Sequence, residues 1–329
     1  MKNFKIKTPL RYLLNAVLVA SFLGFGYYLT QSGLLTRAMN TVIIQVGFFI
    51  ILAVSLNLVA GYLGQLPLGH AGFMAVGAYA GAIFWRAEIL PGYGSVIVGL
   101  LLAGIVAAIF GIIIGVPALR LRGDYLAIIT LGFGEMIRVL ITNIPSITGG
   151  AQGLPQIPRH SSFLVVYLCV IICCFFIHTL MKSRHGRAIL SIRDNEIATE
   201  SLGVNTTYYK VMAFAVSAFF AGVAGALYAG NLGILVPGDF NFMMSINILM
   251  IVVLGGMGSM MGSIIGAVVL TSLPLLMQGL AQYRMIIYAL LLIIVMIFKP
   301  SGLMGTYDFS MGHALGKLSG FVLRGKREQ

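Results

Sequence analysis

Apolar residues follow one another along this chain in runs of about 18–22 positions, almost free of charge. At 1.5 Å per residue each run is long enough to cross a ~30 Å hydrocarbon layer as a helix. The runs do not alternate with polar positions, so they predict helices and not a barrel. Ten spans are expected: Tyr12–Leu29, Thr41–Ala60, Leu66–Trp85, Ser95–Val116, Tyr125–Ile144, Phe163–Met181, Val211–Gly230, Met243–Gly258, Gly262–Leu280 and Met285–Phe298. Gly-rich hairpins join the second span to the third and the eighth to the ninth. Such hairpins leave two topologies open, ten full crossings or eight with re-entrant segments. The expectation is an all-α, polytopic membrane bundle, a single transmembrane domain over residues 1–329.

Composition agrees. The chain is 59% hydrophobic and 9% charged, with a mean hydropathy of +0.99, too little charge to clothe a soluble core of 329 residues. Its 21 Lys and Arg against nine Asp and Glu give +12, and their placement sets orientation. With a cytoplasmic N-terminus and ten crossings, the outer side holds only Arg37, Arg86, Arg159 and Arg284, and Arg138 lies inside a span. All others, from Lys2 through Arg120, Arg122, Arg187 and Lys210 to the basic tail 306–329, fall inside, which the positive-inside rule favours. Both termini are then cytoplasmic. The basic excess meets anionic lipid headgroups and needs no nucleic acid. The N-terminal apolar run is too long for a cleaved signal, so it reads as a retained span. Cys169, Cys173 and Cys174 share one span with no His cluster or thiolate-stabilising charge near them, and read as packing residues.

One stretch breaks the apolar pattern. The loop 182–210 gathers Asp194, Glu196 and Glu200, three of the nine acids, between Arg187, Arg193 and Lys210. Asn195 can cap a short helix Glu196–Leu202, Glu196 suits its positive end, and Gly203 supplies the left-handed stop. Ile197, Ala198 and Leu202 give this helix an apolar side, and Ile189, Leu190 and Ile192 precede it. The loop reads either as a solvated connector or as a partner-docking knob.

The segments "SLNLVAGYLGQLPLGHAGFMAVGAYAGA" (Ser55–Ala82), "LRLRGDYLAIITLGFGEMIR" (Leu119–Arg138), "TGGAQGL" (Thr148–Leu154), "GRAILSIRDNEIATESLGVN" (Gly186–Asn205), "VVLGGMGSMMGSIIGA" (Val252–Ala267) and "PSGLMG" (Pro300–Gly305) resemble the inner-membrane permease of bacterial branched-chain amino acid ABC importers. The resemblance implies two permease subunits, most simply a heterodimer, two cytoplasmic ATPases that bind ATP and Mg, and a periplasmic or lipid-anchored substrate-binding protein. It also implies alternating access and a place in the bacterial inner membrane. Permeases for urea and short-chain amides are similar to the same segments. In such permeases "NEIATESLG" falls where a coupling helix meets the ATPase, which points to Arg193, Asp194, Glu196, Ile197, Ala198, Glu200, Leu202 and Gly203. The match to the E-A-A-x-x-x-G pattern is loose: Ile197 follows the Glu, and Gly203 is one position late.

The chain has no G-x-x-x-x-G-K-[ST]; "GHALGKLS" lacks both the first Gly at the right distance and the hydroxyl. No catalytic grouping or His-Glu metal pair stands out either, so the reading is a non-enzymatic subunit without its own cofactor or metal. Glu135 and Arg138, three apart in the fifth span, would each cost roughly 2.5–3.5 kcal/mol in lipid and must face the bundle or a wet path. They read as an interhelical ion pair or as a pathway pair for a zwitterion's two charges. Gly258, Gly262 and Gly266 form one small-residue ladder, and Gly77 with Gly81 a shorter one, for helix packing. The breakers Gly61, Gly64, Pro67, Gly69 and Gly72 predict a broken helix flanked by Asn57 and His70. His70 reads as a gating residue or a hydrogen-bonded structural one. The outer loop Pro145–Ser162 is the candidate contact for a binding protein. An ion-coupled secondary transporter using Glu135 or His70 is the alternative from another class.

Overall fold

The computed structural model describes residues 36–276 apart from 89–91, 120 and 122, together with 21, 23–30, 32–33, 283, 286, 290, 293–294, 297–298 and 302–305. Most of the expected first and tenth spans, Arg120, Arg122, both termini and the basic tail 306–329 lie outside the described residues. Among the described residues the fold is carried by α1 (Arg37–Asn57), α2 (His70–Arg86), α3 (Tyr93–Ala118), α4 (Asp124–Thr142), α5 (Phe163–Lys182), α6 (Arg184–Asp194), α7 (Glu196–Ser201), α8 (Thr206–Leu232), α9 (Phe242–Gly255) and α10 (Met260–Leu276). Among the described residues no strand forms beyond one antiparallel bridge between Leu154 and Leu235.

Five of these are long and apolar enough to cross a membrane: α1 with its continuation to Tyr62, α3, α4, α5 and α8. The apolar helices α9 and α10 are shorter. Of its most apolar stretch, α1 buries 72% and α8 67%, whereas α4 buries 17%. Helices α1 and α8 are therefore the centre of the bundle and α4 its least covered wall. Small residues make this close packing reachable. In α8, Ala218, Ala221, Gly222, Gly225 and Ala226 are buried where the helix lies against α2 and α3. A Cβ on Gly77 of α2 would run into the Gly222 backbone, and one on Gly81 would come 2.8 Å from the Ala226 methyl. The predicted Gly77/Gly81 stripe is thus a helix contact.

Two expected spans are corrected. Leu66–Trp85 begins as a helix only at His70, because Pro67 supplies no backbone N–H and Gly64 sits at φ +75°. α1 ends in a π-helical turn, Leu58–Tyr62, and the chain runs irregularly to Gly69. Met243–Gly258 stops at Gly255, and Gly258 lies in the following turn at φ +83°. Gly258 is therefore not the first rung of a ladder with Gly262 and Gly266. Those two lie on α10 and meet α9 at the Gly255 and Ile251 backbone.

Candidate functional site

The loop between α5 and α8 is a rigid knob built of two capped helices. Ser183 ends α5 and caps α6, its Oγ accepting from the His185 and Gly186 N–H groups at 3.1 and 3.4 Å. α6 buries Ile189 and Ile192 on the side facing α5 and α8. Asn195 then caps α7, with Oδ1 accepting from Ala198 N–H at 3.0 Å, and Gly203 at φ +79° closes it. Both signals are where the sequence predicts, although the helix proper ends at Ser201.

Its acids divide by direction. Glu196 turns inward and accepts from Lys210 Nζ at 2.7 Å, and only 4% of that lysine side chain is exposed. This bridge ties α7 to the N-terminal part of α8. Asp194 holds the Arg193 guanidinium at 3.1 Å, and Glu200 points outward. Thr199 is the residue that α7 buries in its own chain. Ile197 and Leu202, by contrast, are 67% and 84% exposed. No described residue covers these two apolar side chains of the expected α7 face, and Ala198 beside Ile197 is exposed as well.

Behind the knob lies a junction of broken helices. Asn57 is fully buried; its amide donates to the Ser259 carbonyl at 3.0 Å and accepts from Gly258 N–H at 2.8 Å. It thereby clamps the π-turn of α1 onto the turn between α9 and α10, and Gly61 and Gly258 meet backbone to backbone. Arg193 reaches into this junction from α6, with Nη1 3.4 Å from the Gly61 carbonyl. His70 opens α2 beside it, its Nε2 3.1 Å from Ser55 Oγ, while Ser217 donates to the Ser55 carbonyl at 2.7 Å. Asn57 and His70 thus flank the break as predicted, each bonded within the chain.

Glu135 and Arg138 do pair, Nε to Oε2 at 2.7 Å, each side chain about one-third exposed. Glu135 also accepts from Phe242 N–H through Oε1 at 3.0 Å, so it holds the start of α9 to α4. The loop Pro145–Ser162, expected on the outer side, is fastened down: Leu154 bonds Leu235 in both directions, Ser161 Oγ donates to the Leu227 carbonyl at 2.6 Å, and His160 packs edge-on against Trp85. Among the described residues no three His, Cys, Asp or Glu side chains gather as a metal site would require.

A sequence profile described as branched-chain amino acid transport system permease component matches residues 38–298. The chain belongs to this permease family. It is 39% identical over 298 residues to the high-affinity branched-chain amino acid transport system permease protein LivM of Salmonella typhimurium, covering 78% of this chain and 67% of that one. The Escherichia coli K12 LivM is 38% identical over the same share. The second E. coli permease protein of that name series, LivH, is 25% identical over 284 residues, 78% of this chain and 91% of its own. No solved structure matches. In this permease the matched region holds the knob, the junction and the α4 ion pair together. Sequence reading missed Lys210 as the partner of Glu196, Ser259 as a partner of Asn57, and the Phe242 N–H. Asn57 and Ser259 stand 202 positions apart, and no local pattern signals such a bond.

Proposed function

We propose that this permease is the membrane subunit of a binding-protein-dependent ABC importer that moves branched-chain amino acids into the cytoplasm by alternating access. The observation that carries the reading is α7: a capped, salt-bridged helix whose Ile197 and following Leu202 are left 67% and 84% exposed by the described residues. A purely solvated connector gains nothing from a fixed apolar face, whereas a partner cleft buries one. The partners are two ATPases, which bind ATP and Mg, a second permease of the LivH kind, and an external binding protein that meets the fastened outer loop. The Glu135–Arg138 pair is one-third open on the least covered helix, so α4 turns that face to a wet path or to the second permease and not to lipid. Ten crossings with cytoplasmic termini in a bacterial inner membrane complete the proposal. Leucine, isoleucine and valine are the proposed solutes because they are the common branched-chain amino acids, the class for which the matching relatives are named.

An ion-coupled carrier needs a titrating group free to exchange, and here His70 bonds Ser55 while Glu135 pairs with Arg138 and Phe242. Uptake of labelled leucine by the complete transporter in vesicles separates the two. With ATP supplied and the protonmotive force collapsed by a protonophore, uptake should persist; its loss would favour the carrier.

A further inference from the structure

Arg193, near the end of α6, is 39% exposed and reaches toward the junction, where it meets backbone on one side and Asp194 on the other. Its Nη1 meets the carbonyl of Gly61, in the π-turn that ends α1, at 3.4 Å. A helix end leaves carbonyls without intrahelical donors and carries partial negative charge, so a guanidinium suits it. Two other glycines complete the seat. A Cβ on Gly64 would stand 2.7 Å from Arg193 Cγ, and one on Gly258 would stand 3.7 Å from Nη1. Asp194 grips the guanidinium from the opposite side through Nε and Nη2, at 3.2 and 3.1 Å, which fixes its plane. Asn57 locks the two glycine turns to each other through Gly258 and Ser259.

We infer that Arg193 is the positioning residue that joins the ATPase-facing knob to the two broken-helix turns, so that a push on α7 is delivered to the ends of α1 and α9 together. This rests on the reading of α7 as the docking helix. The physical reason is stiffness. α6 and α7 share Asn195 as stop and cap, Arg193 and Asp194 are the last two residues of α6, and the Asn57 clamp makes the two turns one body. Through the Gly61 carbonyl, displacement of the knob acts on both turns at once. The sixth and seventh spans, α5 and α8, are its covalent attachments; Arg193 gives it a third, non-covalent one.

The test uses the whole transporter, purified with its ATPases and reconstituted. Arg193→Ala should keep the ATPases at wild-type stoichiometry and keep basal hydrolysis, while hydrolysis stimulated by loaded binding protein falls by about tenfold, the size of an ordinary allosteric coupling. Arg193→Lys, which keeps charge and reach without the planar fork, should recover part of the stimulation and serves if the alanine variant fails to assemble. Stimulation within about twofold of wild type in Arg193→Ala, or full loss in Arg193→Lys with no difference between the two, would overturn the inference. Loss of the ATPases from Arg193→Ala would overturn it too, by placing Arg193 in the docking contact itself. Failure of the docking reading shows in another variant, an ATPase retained by Leu202→Asp, and would take the inference with it.

Discussion

Asn57 shows how one amide side chain can hold a buried helix break in place. Its two ends serve backbone groups of a turn about 200 positions away, in a site closed to water. Asn57→Leu keeps the volume but strands the Gly258 N–H. It should lower stability by about 2–3 kcal/mol, measured as a reduced melting midpoint in detergent. The Ser259 carbonyl keeps other donors, in Ser263, which limits the loss. Glu135 works differently, because its carboxylate serves both a guanidinium and a helix N-terminus. Glu135→Gln can still accept from Phe242 N–H but leaves Arg138 without its counter-charge. A fall of roughly 1–3 kcal/mol is expected, below the cost for a fully buried pair because both side chains are one-third open. Adding Arg138→Gln should restore most of the folded yield. Normal yield in the single variant together with lost uptake would mark the pair as part of the solute path.

At the level of elements, the glycines sort into two kinds that the sequence alone does not separate. Gly77 faces the Gly222 backbone, and no side chain has room there. Gly77→Ala should cost about 3 kcal/mol or more, since backbone must move to admit the methyl. Gly132 in α4 has nothing within 4 Å of its would-be Cβ, and Gly132→Ala should raise stability by roughly 0.5–1 kcal/mol through lost chain freedom. Thermal melts of the two variants side by side check both signs. The five long helices were legible because hydrophobic runs of this length favour one solution in a membrane, and their bounds held to within about five residues. The caps of α7 were legible as well, since Asn195 and Gly203 act on their own neighbours. What the sequence left open follows from long-range backbone geometry. Gly258 fits a ladder by spacing, and only its φ of +83° reveals a turn. The same is true of Glu196: its suitability for a helix start is local, but its salt bridge to Lys210 needs α8 folded back beside α7.

For the molecule as a whole, packing accounts for where the uncovered surfaces lie. α8 and α1 fill the centre, α4 keeps an open wall bearing an ion pair, and α7 carries apolar side chains that the described residues leave exposed. The family is that of a transport permease, and under the proposed function these surfaces are where a path and a motor would meet it. The central claim is that α7 is the motor's seat, and co-purification tests it most directly. Leu202→Asp places a charge in the proposed contact, where burying it unpaired would cost several kcal/mol. Leu202 touches little of its own chain, so the fold should be untouched. Tagged wild-type and Leu202→Asp permease are purified side by side, and the ATPase that accompanies each is quantified together with hydrolysis stimulated by loaded binding protein. The account predicts a mutant that reaches the membrane at normal yield but loses its ATPase and its stimulated hydrolysis. A mutant that keeps both would contradict it and leave the knob a solvated connector.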